Sequence, residues 1–529
     1  MTQLQKLEQM FASGSISRRE FIARVSALGL TAALSPVFFK STAHAASPKR
    51  GGRFRAGIVG GASGDSLAPD RMLGVFNTAI AWGQLRNCLV EIDADNLPQP
   101  ELAKSWEASA DAKRWVFELR RGVEFHNGKT MDAEDVAFSI NLHRREESKS
   151  GAKGFLKPVA DIRADGKHKV VFELISPNVD FPYALSDYNL QIVPNNTEDL
   201  DKAVGTGGYM LVEYEPGVRA LTKRNPNYWK EGRAWFDEVE TLGISDPVAR
   251  ISALRSGKVD FVQDVDMKMF DMVKNVPGIQ GIEVLGFMHF TFGMRTDIPP
   301  FNDNNARLAL KYALDREQVL KQILRGHGVV GNDHPISPSY PFHNSELPQR
   351  TFDPDKARYY VKKAGLENYT FDIHTAETGF PGSTDTAMIY KENAKKAGIN
   401  LKINKAPEDG YWSEIWGIKP LTACYWGGRP TEESMFTQCW EKGAPWDRTR
   451  WVNERFNSLL AQARAEFDRE KRREMFWEMQ QLARDEGGRV VLAFAPFLDA
   501  ASDKVKFNKI ACNWFMDGTK CFERWWFAA

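Results

Sequence analysis

Trp115, Phe117 and Leu119 recur at every second residue, the period of a strand with one buried face. From Thr130 to Leu142 the period lengthens to that of a helix, with Asp132 placed as its N-cap and Val136, Ala137 and Ile140 on one face. Gly51 to Val59 predicts an opening strand. Phe371 to His374 and Leu401 to Asn404 predict two more, separated by a helix from Thr386 to Ala397 that Gly398 closes, which is an α/β alternation. Asp315 is placed to cap a further helix, with Gln318 reaching back, Val319, Leu320, Ile323 and Leu324 as the apolar face and Gly326 at the end. Later, Phe456, Leu459, Leu460 and Ala463 share one helical face, Met475, Met479 and Leu482 share another, and Val490 to Phe494 reads as a strand. These stripes are predicted core, not cofactor boxes.

The first 45 residues follow another pattern. Ser17-Arg18-Arg19-Glu20-Phe21-Ile22 resembles the twin-arginine export motif, an apolar run continues from Val25 to Phe39, and Ala43-His44-Ala45 supplies a small-residue cleavage site. That order predicts a signal peptide over 1–45, removed after Ala45, and a periplasmic location. No cysteine stands at the cleavage point to carry a lipid, and no later window holds about 18 consecutive apolar residues, so no membrane span is expected.

Composition narrows the function. A chain of 529 residues predicts two or three domains. Seventy basic residues against 69 acidic ones, without a long basic tract, leave no nucleic-acid or anionic-membrane partner in view. Loss of the leader leaves 65 basic against 67 acidic. The five cysteines contain no C-x-x-C, so zinc-ribbon and thioredoxin-like readings have no support. In an oxidising compartment Cys512 and Cys521, with eight residues between them, are the pair expected to bridge, and Cys88 is expected to stay a buried free thiol. His327, His334 and His343 lie among Pro335, Pro338 and Pro341 without helical or hairpin spacing, so neither a metal nor a cofactor is expected. The loop Gly60 to Ser66 lacks the Walker lysine and the G-x-G-x-x-G spacing; it reads as a turn first, with Ser63 a candidate ligand contact second. There is no G-x-S-x-G and no H-E-x-x-H, so a binding protein is favoured over an enzyme, the alternative being an exported hydrolase of a small amide or peptide.

Several stretches carry a longer likeness. Leu102-Ala103-Lys104-Ser105-Trp106-Glu107, the strand and Phe125-His126-Asn127-Gly128 turn with the helix after it, Gly205 to Tyr209, Arg224 to Trp229, and Pro300-Phe301-Asn302-Asp303 with Ala306 to Glu317 resemble, in order, the family 5 extracellular solute-binding proteins. These are the peptide-, dipeptide- and nickel-binding components of ABC importers. The resemblance implies a two-lobed α/β binding protein with an extra domain inserted in the first lobe, closing on its ligand by a hinge. Lobe 1 would be 46–93, 206–295 and 496–529, the inserted domain 94–205, and lobe 2 296–495. It also implies a small-molecule ligand, an inner-membrane ABC permease as partner, and a monomer. Trp106, Trp229 and Arg307 read as scaffold.

The candidate site is Ala423-Cys424-Tyr425-Trp426-Gly427-Gly428-Arg429-Pro430, where aromatic walls meet two glycines and a fixed positive charge. Peptide-binding members of the family usually carry an aspartate three residues after the tryptophan equivalent to Trp426, where it holds a peptide's free amine. This chain has Arg429 there, which inverts the charge offered to the guest. The expected ligand therefore bears an anionic group met by Arg429, with Trp426, Tyr425, Gly427, Gly428, Trp412, Trp416, Trp446, Asp447 and Trp82 as further contacts. A cationic end remains open too, served by Glu432, Glu433 or Asp447 with Trp440 or Trp446, so modified short peptides, opine-like and amino-acid-derived compounds all fit.

Overall fold

The opening strand forms as Arg53–Ile58 and becomes an interior strand of a large sheet, parallel to Glu238–Gly243 on one side and to Phe261–Val262 on the other. The computed structural model describes residues 48–528 apart from Leu73, Lys149, Phe155, Asn196 and Pro445. The twin-arginine segment and its cleavage site lie outside the described residues. Among those described, the sheet has eleven strands. Its path runs Asn400–Lys405, Thr370–Thr375, Leu421–Trp426, Ile279–Met294, Arg489–Ser502, Phe261–Val262, Arg53–Ile58, Glu238–Gly243, Arg219–Arg224 and Tyr209–Glu215, with Val329–Val330 added beside Arg489–Ser502.

Two long antiparallel strands carry this sheet from one half to the other. Ile279–Met294 and Arg489–Ser502 pair from Ile279 opposite Ser502 to Gly293 opposite Arg489. The strand expected to stop at Phe494 therefore continues through Pro496. Proline lacks the N–H that a central strand must donate, but Pro496 sits opposite Leu285, where the register slips before pairing resumes at His289 with Phe494.

On one half, Phe54, Phe236, Phe261 and Phe522 pack a core; on the other, Phe290, Phe292, Phe380 and Tyr390 pack a second. The parallel pair Thr370–Thr375 and Asn400–Lys405 forms as the α/β alternation required, with helix Ser383–Lys395 between them. A separate four-stranded antiparallel sheet, in the order Ala103–Ala108, Arg114–Leu119, Lys169–Leu174, Val159–Ala164, has its own core under helix Ala133–Arg144. Asp132 caps that helix as expected, and Asp135 returns a bond from the Asp132 N–H. The cap at Asp315 also forms, but Gln318 does not reach back. Asn393 takes that part, accepting from Asp315 N at 3.0 Å and donating to Gln318 Oε1 at 2.9 Å, and the helix closes at Gln322, short of Gly326. Arg307 and Trp229 are scaffold, donating to the carbonyls of Phe301 and Glu486 and of Thr206.

The expected Cys512–Cys521 bridge is not formed. All five cysteines are free, because Cys521 is buried in the core with Phe522 whereas Cys512 packs against a different one, the cluster that includes Phe287 and Tyr340 among its members. Cys88 is a buried thiol, as expected.

A buried ionic lattice ties the C-terminal residues to the segment after Trp82. Lys230 Nζ reaches Glu91 at 2.5 Å, Glu101 at 2.7 Å and Glu523 at 3.2 Å, while Arg524 bridges Glu91 and Asp517 and Arg233 also meets Glu91. Burial opposes ionisation of Glu523, yet Lys230, Lys520 and Arg233 outweigh it and hold the carboxyl down at about 2. Such a lattice is neutral to modestly helpful intact, and costly when one charge is removed. Lys230→Ala is expected to lower unfolding free energy by about 3–5 kcal/mol in urea titrations, since three carboxylates lose their shared cation. The Glu523 contribution is present above about pH 4.5, its range in the unfolded chain, and is lost as pH falls through the folded value of about 2.

Candidate functional site

Five chain segments meet around an open cleft with about 60 Å³ of enclosed space: the turn bearing Trp82, Ile92, the stretch Tyr183 to Tyr188, Gly428 to Pro430, and Asn513 with Trp514. Each is placed by a local constraint. Trp82 lies in the wide helical turn Ala81–Leu85, and Gly83 beside it lets the chain's C-terminal stretch come close, since a Cβ there would stand 2.8 Å from the Thr519 carbonyl oxygen. Lys520 follows, donating to the Trp82 carbonyl at 3.3 Å with its ammonium 5.1 Å from the Trp82 ring.

On the opposite wall, strand Leu421–Trp426 pairs with Ile279–Met294 and its residues alternate faces. Trp426 turns inward and is only 4% exposed, while Tyr425 turns outward and is 45% exposed. After the strand, Gly428 sits where a Cβ would meet Phe287 Cβ at 2.9 Å. Tyr340 stacks on Phe287 at 3.9 Å and donates its hydroxyl to the Arg429 carbonyl at 2.8 Å, so the turn carrying Arg429 is clamped.

The Arg429 guanidinium is partly committed. Nε donates to Gln438, Nη1 donates to the carbonyls of Gly428 at 2.7 Å and Gly427 at 3.3 Å, and the plane lies 5.2 Å from the Trp446 ring. Nη2 carries no hydrogen bond among the described residues. A guest anion would therefore be met end-on at Nη2 rather than gripped by the Nε fork.

The sequence candidates divide. Arg429, Gly428 and Trp82 stand on the cleft wall. Gly427 and Trp446 adjoin Arg429 through Nη1 and the ring contact. Trp426 lies beneath, stacked under Arg489 at 4.7 Å and tilted against Trp416 and Trp446. Trp412 meets Tyr425 edge-on at 5.9 Å and Trp416 at 5.2 Å, an aromatic group off the cleft wall. Asp447 is committed elsewhere, accepting from Thr449 N and Oγ1 and lying 3.9 Å from Arg489. Ser63 is exposed on a loop held by Asp65 and the Gly217 carbonyl, and it does not line the cleft.

The acids expected for a cationic end are also engaged. Glu433 pairs with Arg464 at 2.6 Å, and Glu432 is buried with Oε1 accepting from Phe342 N at 2.6 Å. His327 lies apart from the other two histidines, bonding Glu283 at 3.0 Å, while His343 bonds the Ile336 carbonyl and its ring stands 5.8 Å from that of His334.

What sequence reading missed is the Tyr183 to Tyr188 stretch with Asp187, and Asn513-Trp514. Tyr188 and Trp514 pack at 5.4 Å, and Tyr188 and Trp82 at 6.3 Å, making one aromatic wall. The clustering of Tyr, Asp and Asn without helical or strand period was the available signal, since such residues outside a periodic element are either turn or contact.

Residues 98–447 match the model of bacterial extracellular solute-binding proteins, family 5. The dipeptide-binding protein of Escherichia coli (strain K12) is 24% identical over 454 residues, 77% of this chain and 83% of that protein. Among solved structures, the periplasmic binding protein DppA from Helicobacter pylori in complex with peptide STSA superposes with a TM-score of 0.73 at 21% identity, covering 91% of this chain and 99% of its own. AgaA in complex with agropinic acid, from A. tumefacien R10, gives 0.72 at 22% identity, covering 90% and 99%.

Beside the cleft, Glu432 lies within reach of Asp180, Arg472, Tyr183 and Tyr340. Burial raises its carboxyl to about 7, only partly opposed by the Phe342 N–H. An acid whose folded pKa is raised costs stability progressively as pH climbs from its unfolded value towards the folded one. Glu432→Gln, which cannot ionise, should gain on the wild type by on the order of 3 kcal/mol between pH 4 and pH 8, read from denaturant midpoints at both pH values.

Proposed function

The chain belongs to the bacterial extracellular solute-binding proteins of family 5, and from that membership we propose that it captures a small polar solute bearing an anionic group in the cleft beside Arg429. The family consists of binding proteins rather than enzymes, working with ABC permeases that import what they bind. The proposed setting is the periplasm, after removal of a signal peptide at Ala45, with the protein acting as a monomer.

Arg429 carries this reading. It lines a cleft walled by Trp82, Tyr188 and Trp514, and its Nη2 carries no hydrogen bond among the described residues, so one fixed charge can orient the solute while flat apolar surfaces hold its body. Dipeptides and peptide STSA are named for relatives, and agropinic acid for AgaA. A carboxylate-bearing, amino-acid-derived or opine-like molecule is the class that suits both this fold and an arginine in place of an aspartate. A sulfonate or phosphate would meet Nη2 by the same chemistry.

Capture is proposed to work by closure. The partition into 46–93, 206–295 and 496–529 against 296–495, with 94–205 inserted, leaves the two long strands Ile279–Met294 and Arg489–Ser502 as the crossing between halves. Their register slip at Leu285 to His289, opposite Pro496, is the place where a small rotation breaks the fewest hydrogen bonds. Solute touching both sides stabilises the closed form by its differential affinity.

The test begins with native mass spectrometry of protein purified from its own periplasm, to identify the retained solute. Calorimetry with that solute should show binding to Arg429→Ala weakened by about tenfold or more, the order expected on loss of a charge-assisted hydrogen bond. Unchanged affinity would remove Arg429 from the site.

A further inference from the structure

Asp187 is the second charge on the cleft wall, and among the described residues no cation pairs with it. Both of its side-chain hydrogen bonds, from Asn189 N and Nδ2, each at 2.9 Å, fall on Oδ1. Oδ2 has no partner among the described residues, and no cationic side chain comes within ion-pair distance. Burial raises the carboxyl above its ordinary range; the Asn189 bonds and, across the cleft, the charge of Arg429 pull the other way. Arg429 and Asp187 both line the cleft, and no hydrogen bond or ion pair joins them among the described residues.

The walls beside Asp187 fit a cation. Tyr188 follows it directly, with Trp514 and Trp82 at 5.4 and 6.3 Å from the Tyr188 ring. Lys520 already occupies the Trp82 face, its ammonium 5.1 Å from that ring and bonded to the Trp82 carbonyl and Glu101, which leaves the Tyr188 and Trp514 faces for a guest. The Trp514 indole N–H is buried without a partner among the described residues.

We propose, resting on the reading of Arg429 above, that the solute is a zwitterion whose ammonium group is held by Asp187 Oδ2 against the faces of Tyr188 and Trp514 while its anionic group meets Arg429. Asp187 is then the residue that sets specificity. A ligand with an anion alone leaves the carboxylate desolvated and repelled, whereas an ammonium gains a charge-assisted hydrogen bond and a cation–π contact at once. The polarity of the pair differs from a site with an aspartate after the tryptophan: here the arginine stands on the Trp426 turn and the acid on the facing segment.

The probes are L-amino acids, dipeptides and N-(1-carboxyethyl) amino acids, each titrated calorimetrically beside its N-acetylated or deaminated counterpart. On the wild type the free-amine members should bind about tenfold or more tightly than their counterparts. Asp187→Asn, which preserves shape and the Oδ1 acceptor, should erase that preference by weakening only the free amines, with its unfolding midpoint unchanged. Should that variant not fold, the matched pairs on the wild type decide alone. Counterparts that bind as tightly as free amines, with both weakened by Arg429→Ala, overturn the zwitterion and leave the Arg429 reading standing. Affinities indifferent to Arg429→Ala overturn that reading instead. A panel in which no amine binds overturns the inference.

Discussion

The antiparallel pairing of Ile279–Met294 with Arg489–Ser502 is the constraint from which the rest follows. A buried strand must place nearly all of its N–H and C=O groups, and these two do so against one another over most of their length. Every other strand of the large sheet is then added outward from this pair, Leu421–Trp426 on one side and Phe261–Val262 on the other. The Arg429 turn is thus fixed by the neighbour of a central strand, not by a surface loop. The slip at Leu285 to His289 interrupts the pairing, and one neighbouring stretch stabilises it: Ser337 donates to the Gly286 carbonyl at 2.7 Å and Ser339 to that of Leu285 at 2.7 Å. Carbonyls that lose strand partners thereby keep hydrogen bonds.

The other side of the cleft is positioned by charge. Lys230, Arg233, Lys520 and Arg524 face Glu91, Glu101, Asp517 and Glu523, four against four. Because the segment after Trp82 and the C-terminal residues each supply acids to the same cations, Trp82 and Trp514 are held as parts of one rigid support. Glu101 is the junction: it accepts from Asn87, Cys88 N, Lys230 and Lys520. A group of three buried carboxylates, Glu91, Glu101 and Glu523, could in isolation suggest a cation site, but Lys230 already bridges all three. This lattice is structural, and it leaves Asp187 as the carboxylate on the cleft wall with an oxygen to spare.

Much of the fold was legible because periodicity reports burial, and burial decides secondary structure. Arg114–Leu119, Ala133–Arg144 and the pair Thr370–Thr375 with Asn400–Lys405 could be read from it. Reading failed where a distant partner decided the outcome. Gln318 lost the capping role to Asn393, 75 residues away, and Pro496 was tolerated only because a bulge faced it. The site divided in the same manner. Arg429 could be singled out from the charge reversed after Trp426, but strand alternation sent Tyr425 to the outside, and Trp412 with it. Asp187 and Trp514 offered no more than an aperiodic cluster of Tyr, Asp and Asn, since 327 residues separate them in the sequence and only the tertiary fold makes them one wall.

The electrostatics of the cleft favour a guest that brings both signs of charge. Arg429 has its Nε and Nη1 edges committed to neutral acceptors, a side-chain amide and two carbonyls, so its net charge is undiminished by its partners. Asp187 has only neutral donors on Oδ1. Two opposite charges held apart by fixed backbone cannot collapse onto each other, and burial beside the cleft's aromatic residues opposes ionisation of Asp187. A neutral guest would deepen that desolvation without compensation, and a singly charged one would relieve only one side. A zwitterion of matching length relieves both and gains more from a narrow, low-dielectric cleft than from open water, so the energy that holds it also favours the closed arrangement in which the two walls face one another.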